Sequence, residues 1–161
     1  MKYENYEKMI IARLQKCPEL DVQTKEIDSS GLNKQQQSSK PMVYVLYQGS
    51  TFDEPQELGM ISQLETMAFD IIIFARKQRG STGAYAAFEI LTKNLLGYRE
   101  KGMRSPIIFQ KFGYVSETNT TWQYALQCSF TGYIVESCDE ENSEQPPLIK
   151  KITNNLTSVM Q

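Results

Sequence analysis

Chemistry in a protein needs groups that take protons, hold metals, attack carbonyls or grip phosphate, and this 161-residue chain offers few of them. It contains no histidine, which removes the commonest general base and the commonest metal ligand together. Its three cysteines, Cys17, Cys128 and Cys138, are widely spread and have no C-x-x-C spacing. That pattern argues against a zinc site and against a disulfide framework, and for reduced thiols in a cytoplasmic protein. Asp70 is the one carboxylate set inside a strongly apolar segment, FDIIIF. An unpaired buried charge is costly, so Asp70 is expected on a solvated face or beside a partner, and a single carboxylate is no catalytic dyad. The segment RGSTGA, Arg79–Ala84, invites a phosphate-loop reading but has neither GxxxxGK[ST] nor GxGxxG spacing. What remains is charge: a basic turn with Arg76, Lys77 and Arg79, a second with Arg99, Lys101 and Arg104, and an acidic run over Asp139–Glu144. No catalytic, cofactor-binding or metal-binding residue is assigned, and no enzyme is expected.

The bulk composition agrees with a scaffold. The chain is 40% hydrophobic and 22% charged, with a net charge of −2, which does not imply a general nucleic-acid-binding surface. Its length suits one domain with a single core. The N-terminal MKYENYEKMIIARL mixes charge with short apolar pairs and lacks a signal peptide's apolar region. No apolar run approaches the ~20 residues that span a bilayer.

Periodicity places the elements. Tyr3–Lys16 reads as an amphipathic helix with Tyr6, Met9, Ile10, Arg13 and Leu14 on one face, stopped at Cys17-Pro18. Its polar face is mixed rather than basic, so packing on a core is favoured over a membrane surface. Asp21–Asp28 alternates weakly, as a short edge strand would. Ser29–Lys40 is polar and Gln-rich and reads as a mobile loop. Met42–Gly49 is apolar on both faces, as a central or doubly covered strand would be, and the turn-rich Gly49–Gly59 is expected to end it.

The longest strand candidate is Met60–Gln78, with Met67, Phe69, Ile71, Ile73 and Ala75 in one row. Ser81–Leu96 reads as a second helix, capped by Ser81 or Thr82, with Tyr85, Phe88, Leu91 and Leu95 inward, Ala84, Ala86 and Ala87 allowing close approach, and Gly97 as its stop. Pro106–Tyr114 is strand-like, and Val115–Thr120 a polar turn. Thr121–Thr131 has the clearest alternation: Trp122, Tyr124, Leu126, Cys128 and Phe130 on one face, and a Thr/Gln/Ser face opposite. Tyr133–Val135 continues or bends it.

These elements predict an α+β fold, a mainly antiparallel sheet with two principal helices packed on one face. Residues 1–136 form a single domain with the mobile loop at 29–40. Residues 137–161 form an acidic, proline-containing linker and a C-terminal arm.

The order and content of several segments resemble the Mu-like tail terminator proteins of contractile-tailed phages and prophages. The matching pieces are the helix ending in ARLQ, VYVLYQG, FDIIIFARKQRG, GAYAAFEILTKNLLGY, GMRSPIIFQKFGYVSE and WQYALQCSF. The resemblance implies a structural virion protein, assembled in the host bacterial cytoplasm. It would cap the tail tube as a homo-oligomeric ring, a hexamer by expectation, and provide the surface for head–tail joining. Its implied partners are further copies of itself, the tail tube protein, a head-side connector protein, and DNA passing through the lumen without specific binding; no membrane and no cofactor is involved. The subunit or partner interface is expected to include Arg76, Lys77, Arg79, Arg99, Lys101 and Arg104, against the plainer reading of solvated turns. Another head–tail connector or minor tail protein, or a small-molecule-binding domain, stays open as the alternative.

Overall fold

Alternation at a period of two dominates the chain after residue 40, and a sheet follows from it. The computed structural model describes residues 1–24, 39–57, 59–118 and 120–137. In chain order the elements are helix α1 (Lys2–Leu14), strands β1 (Asp21–Val22), β2 (Met42–Phe52), β3 (Gln56–Glu57) and β4 (Ile61–Ala75), helix α2 (Ala84–Leu95), and strands β5 (Ile108–Thr118) and β6 (Thr121–Val135). The sheet order is β1-β2-β4-β6-β5, with β3 also on β4. Every pairing is antiparallel except the two-residue β1–β2 contact. The fold is therefore α+β with a mainly antiparallel sheet, as the patterning predicts.

The register defines two faces. Val45, Ile71, Leu126 and Phe112 stand in one row across four strands, and Tyr47, Phe69, Cys128 and Phe109 in another. Both rows join Ile10 and Leu14 of α1 and Ala84, Ala87, Leu91 and Leu95 of α2 in one core, so the two helices cover one face. Phe69 and Phe130 stack there at 5.3 Å, with Tyr6 of α1 edge-on to Phe130 at 5.0 Å. The alternate rows face away from the helices. They form a smaller cluster of Met42, Tyr44 and Phe74, then a polar stretch.

Several expected boundaries move. β2 does not stop at Gly49 but runs to Phe52, because a bulge between Tyr47 and Gly49 resets its register and Ser50–Phe52 pair with Met67–Glu65. β2 lies inside the sheet, between β1 and β4, and β4 takes the middle position, between β2 and β6. The expected turn over 115–120 is also too long. β5 continues to Thr118, where Ser116, Glu117 and Thr118 pair with Gln123, Trp122 and Thr121; polar edge residues satisfy a ladder as well as apolar ones.

α2 begins at Ala84, and neither Ser81 nor Thr82 caps it; Gly83 holds the N-cap position without a side-chain cap. The amides of Ala84 and Tyr85 instead donate to the carbonyls of Lys77 and Gln78, at 3.0 and 3.1 Å. A Cβ on Gly83 would lie 2.6 Å from the Arg79 carbonyl oxygen, so this close approach requires glycine. The inner stripe of α2 is rotated towards its alanines: Ala84 and Ala87 are fully buried with Leu91 and Leu95, while Tyr85 is exposed. Small side chains let the helix settle on the sheet and leave Tyr85 at the rim, edge-on to Tyr124. The helix ends at Leu95, and Gly97 at φ +81° turns the chain away. The loop expected at 29–40, apart from residues 39 and 40, and the linker and arm, apart from residue 137, lie outside the described residues.

Candidate functional site

The strands that build the core also position every candidate side chain. Asp70 faces away from the helices, in a row with Leu46, Gln127 and Lys111. It lines a shallow groove of about 380 Å³ with Gln48, Thr66, Gln110, Gln127 and Ser129. Partial burial pushes its carboxyl above the ordinary aspartate range. It sits on the helix-free face, one of the two placements the sequence allows. The groove is polar and nearly uncharged, with Gln110 donating to the Ser129 hydroxyl. It can hydrogen-bond a passing or neighbouring surface, but contains no nucleophile–base pair.

The cysteines carry little reactivity. Cys17 and Cys128 are free and buried. Burial raises both thiols, Cys128 to about 12, and a thiol is a far weaker nucleophile than a thiolate. Among the described residues no three His, Cys, Asp or Glu side chains come together as a metal site.

A buried carboxylate escapes a reading of the sequence. Glu65 is fully buried, on the helix-covered side of β4, and accepts hydrogen bonds from Lys2, from the Tyr3 hydroxyl at 2.6 Å and from the Ser50 hydroxyl at 2.7 Å. Burial pushes its pKa up, but these three donors outweigh that and hold the carboxyl below its usual range. The bond to Glu65 leads the effects that raise the Tyr3 phenol to about 12. Tyr3 also stacks on Tyr47 at 4.3 Å. The signal was present in the alternation, since Glu65 continues the row of Met67 and Phe69; two of its donors, Lys2 and Tyr3, lie some sixty positions earlier. The cluster ties the first turn of α1 to the sheet and is structural.

All six basic residues of the two turns are exposed, but the fold does not bring the turns together. Arg76, Lys77 and Arg79 follow Ala75, whose partner is Trp122. Arg99, Lys101 and Arg104 lie at the other end of the helix-covered sheet, where the Arg104 amide donates to the Thr131 carbonyl at 2.8 Å. Thr131 pairs with Thr66, so nine strand positions, about 30 Å, separate the two ends. The first turn is held by its carbonyls on α2. In the second, Arg99 Nε donates to the Met103 carbonyl at 3.0 Å and Arg104 sits 4.9 Å from the Tyr133 ring centroid. Lys101 borders a groove of about 520 Å³ between α1 and this loop, with Tyr6, Met9, Arg13, Lys16 and Tyr98. Arg13 closes that groove by stacking 3.6 Å over the Tyr98 ring.

Beyond Glu65 the sheet continues past the helices. β4 from Ile61, the end of β6 to Val135, and β3 form a projecting arm, closed by the Glu136 amide donating to the Ile61 carbonyl at 2.9 Å. Its apolar residues are open to solvent: Ile61 is 46% exposed, Ile134 38% and Val135 48%. Composition marks these as strand residues but does not reveal their exposure. No helix among the described residues is long and apolar enough to cross a membrane.

Comparison with known proteins supplies the context for this architecture. No curated protein sequence matches the chain significantly. The Gp37 protein family, a phage-associated family, matches residues 10–155, a span that takes in the end of α1, all of α2, the whole sheet and most of the segment after residue 137. On that match the chain belongs to the Gp37 protein family and is a phage protein.

Proposed function

We propose that this chain is a structural tail component that closes the tail tube as a ring of its own copies and offers the surface on which head and tail join. The observation that carries the reading is the helix-free sheet face. Thr66, Gln127, Ser129 and Thr131 line its middle with Gln48, where the charges Asp70 and Lys111 offset each other, and Asp21 stands at its β1 edge in the row of Met42 and Phe74. A neutral polar wall suits a lumen through which DNA slides, because neither counterion release nor repulsion dominates there. The phage family and the resemblance in the strand and helix segments support the same reading. A ring that occupies the end of the tube stops further addition of tube subunits, and closure needs a heterologous interface with the right rotation.

The test is polymerisation of purified tube protein with increasing amounts of this chain. Tubes should shorten, and electron microscopy should find the chain at one end of each. An unchanged length distribution with no end-bound density contradicts the proposal. Co-purification with portal-side proteins in place of tube protein would move the chain to the connector class.

A further inference from the structure

The two ends of the long strands differ in charge as well as in cover. The arm carries Asp53, Glu54, Glu57 and Glu136, and its sequence has no Lys or Arg over residues 50–65 or 132–137; the basic charge at this end sits at the arm's base, where Arg104 lies over the Tyr133 ring. These acids are exposed around the open apolar residues Phe52, Ile61, Ile134 and Val135. The far end of β4 runs into Arg76, Lys77 and Arg79, all exposed. The carboxylates nearest in register there are Asp21 and Glu117. The ion pairs among the described residues, Lys2–Glu65 and Lys8–Glu4, engage none of these groups.

Both ends are built rather than loose. The basic turn is anchored by α2 amides on the Lys77 and Gln78 carbonyls and by Gln78 Nε2 donating to the Tyr124 hydroxyl at 2.8 Å. The arm is fixed by β3–β4 pairing, by the Asp53 amide on the Leu64 carbonyl at 3.0 Å, and by Gln63 Nε2 on the Asp53 carbonyl at 3.0 Å. The 15 residues of β4 hold the ends about 45 Å apart at roughly 3.3 Å per residue. One chain therefore cannot bring its own arm to its own basic turn.

We infer that the acidic, apolar-sided arm docks on the Arg76–Arg79 turn of a second copy of this chain. Unlike surfaces on one subunit are what a heterologous, ring-forming interface requires. Charge complementarity sets the pairing and rejects arm-to-arm and turn-to-turn contacts, while the apolar arm residues supply the burial. The inference rests on the ring reading of the proposed function and specifies which surfaces meet.

The test is a charge swap read by light scattering coupled to size-exclusion chromatography, with thermal unfolding followed in parallel. D53K/E54K/E57K and R76E/K77E/R79E should each reduce a multi-subunit particle to the 18.5 kDa monomer without lowering Tm. The chain carrying all six changes should recover the particle. Rings that survive both triple reversals, or a six-fold variant that stays monomeric, overturn the contact and leave the ring reading standing. A wild-type chain that is monomeric or only dimeric, both alone and on tube ends, overturns the ring reading too. Should a triple variant fail to fold, the wild-type particle serves. Its mass should fall as salt rises from about 0.05 to about 0.5 M, where screening shortens to a few ångströms; an unchanged mass contradicts the inference.

Discussion

The two halves of β4 and β6 are continuous in hydrogen bonding and opposite in environment. From Met67 to Ala75 the odd-numbered residues of β4 lie under the helices, with Met67, Phe69, Ile71 and Ile73 fully buried. From Ile61 to Leu64 the same strand, still paired to β6, is exposed at Ile61 and only half-buried from Ser62 to Leu64. Glu65 marks the border, a buried carboxylate held by the start of α1. Ladder pairing alone thus builds a strand, but helix packing decides which part of it is core. The covered half carries stability, and the projecting half is free to carry assembly.

Perturbing each half should separate those roles. The largest effect belongs to Phe130→Ala, which removes a fully buried ring stacked on Phe69. It should cost about 3–5 kcal/mol, read by urea denaturation. Glu65→Ala comes next. It strands the Tyr3 hydroxyl, while the Ser50 hydroxyl keeps Tyr47 as a partner and Lys2 keeps partial contact with water, for about 2 kcal/mol.

The same carboxylate gives a pH test. Its pKa is lower folded than unfolded, so its contribution is present above the ordinary glutamate value of about 4.3 and is lost as pH falls through the folded pKa. Denaturation midpoints of wild type should fall over that acid window more steeply than those of Glu65→Ala. Parallel slopes would remove Glu65 from the account.

Ile61→Ser with Ile134→Ser, in the exposed half, should change stability by less than about 0.5 kcal/mol per site. Together they should still weaken self-association by tenfold or more, measured by sedimentation. Loss of stability comparable to Phe130→Ala would erase the distinction between the halves. The smallest effect is expected from Asp70→Asn. Burial raises the Asp70 pKa, so its ionised form opposes folding at neutral pH. The variant should be slightly more stable at pH 7, by up to about 0.5 kcal/mol. The difference should vanish as pH falls below the unfolded aspartate value of about 3.9.

Much of this division was legible in the residues, within limits that have physical causes. The row from Met67 to Ala75 and the Trp122–Phe130 face declare themselves because one-sided burial leaves an alternating record. The second helix, with Leu91 and Leu95 inward and alanines for close approach, is equally readable; only Tyr85 departs, at the rim, because the buried stripe runs through Ala84 and Ala87. Strand ends at Phe52 and Thr118 were lost because they depend on a partner strand and, for β2, on a bulge that local composition does not encode. Glu65 was hidden because a carboxylate ordinarily signals solvent, and two of its donors, Lys2 and Tyr3, come from a distant part of the chain. The basic turns were identifiable as exposed charge. That they sit at opposite ends of the helix-covered sheet follows only from register, and so does the emergence of the acidic arm.

Amide hydrogen exchange compared between the monomer and its self-assembled particle tests the division most directly. The account predicts new protection in Gln56–Leu64, Tyr133–Val135 and the Arg76–Arg79 turn, with Met67–Ala75 equally protected in both states. Protection gained on the outer surfaces of α1 and α2, with the arm and turn exchanging as they do in the monomer, would contradict it.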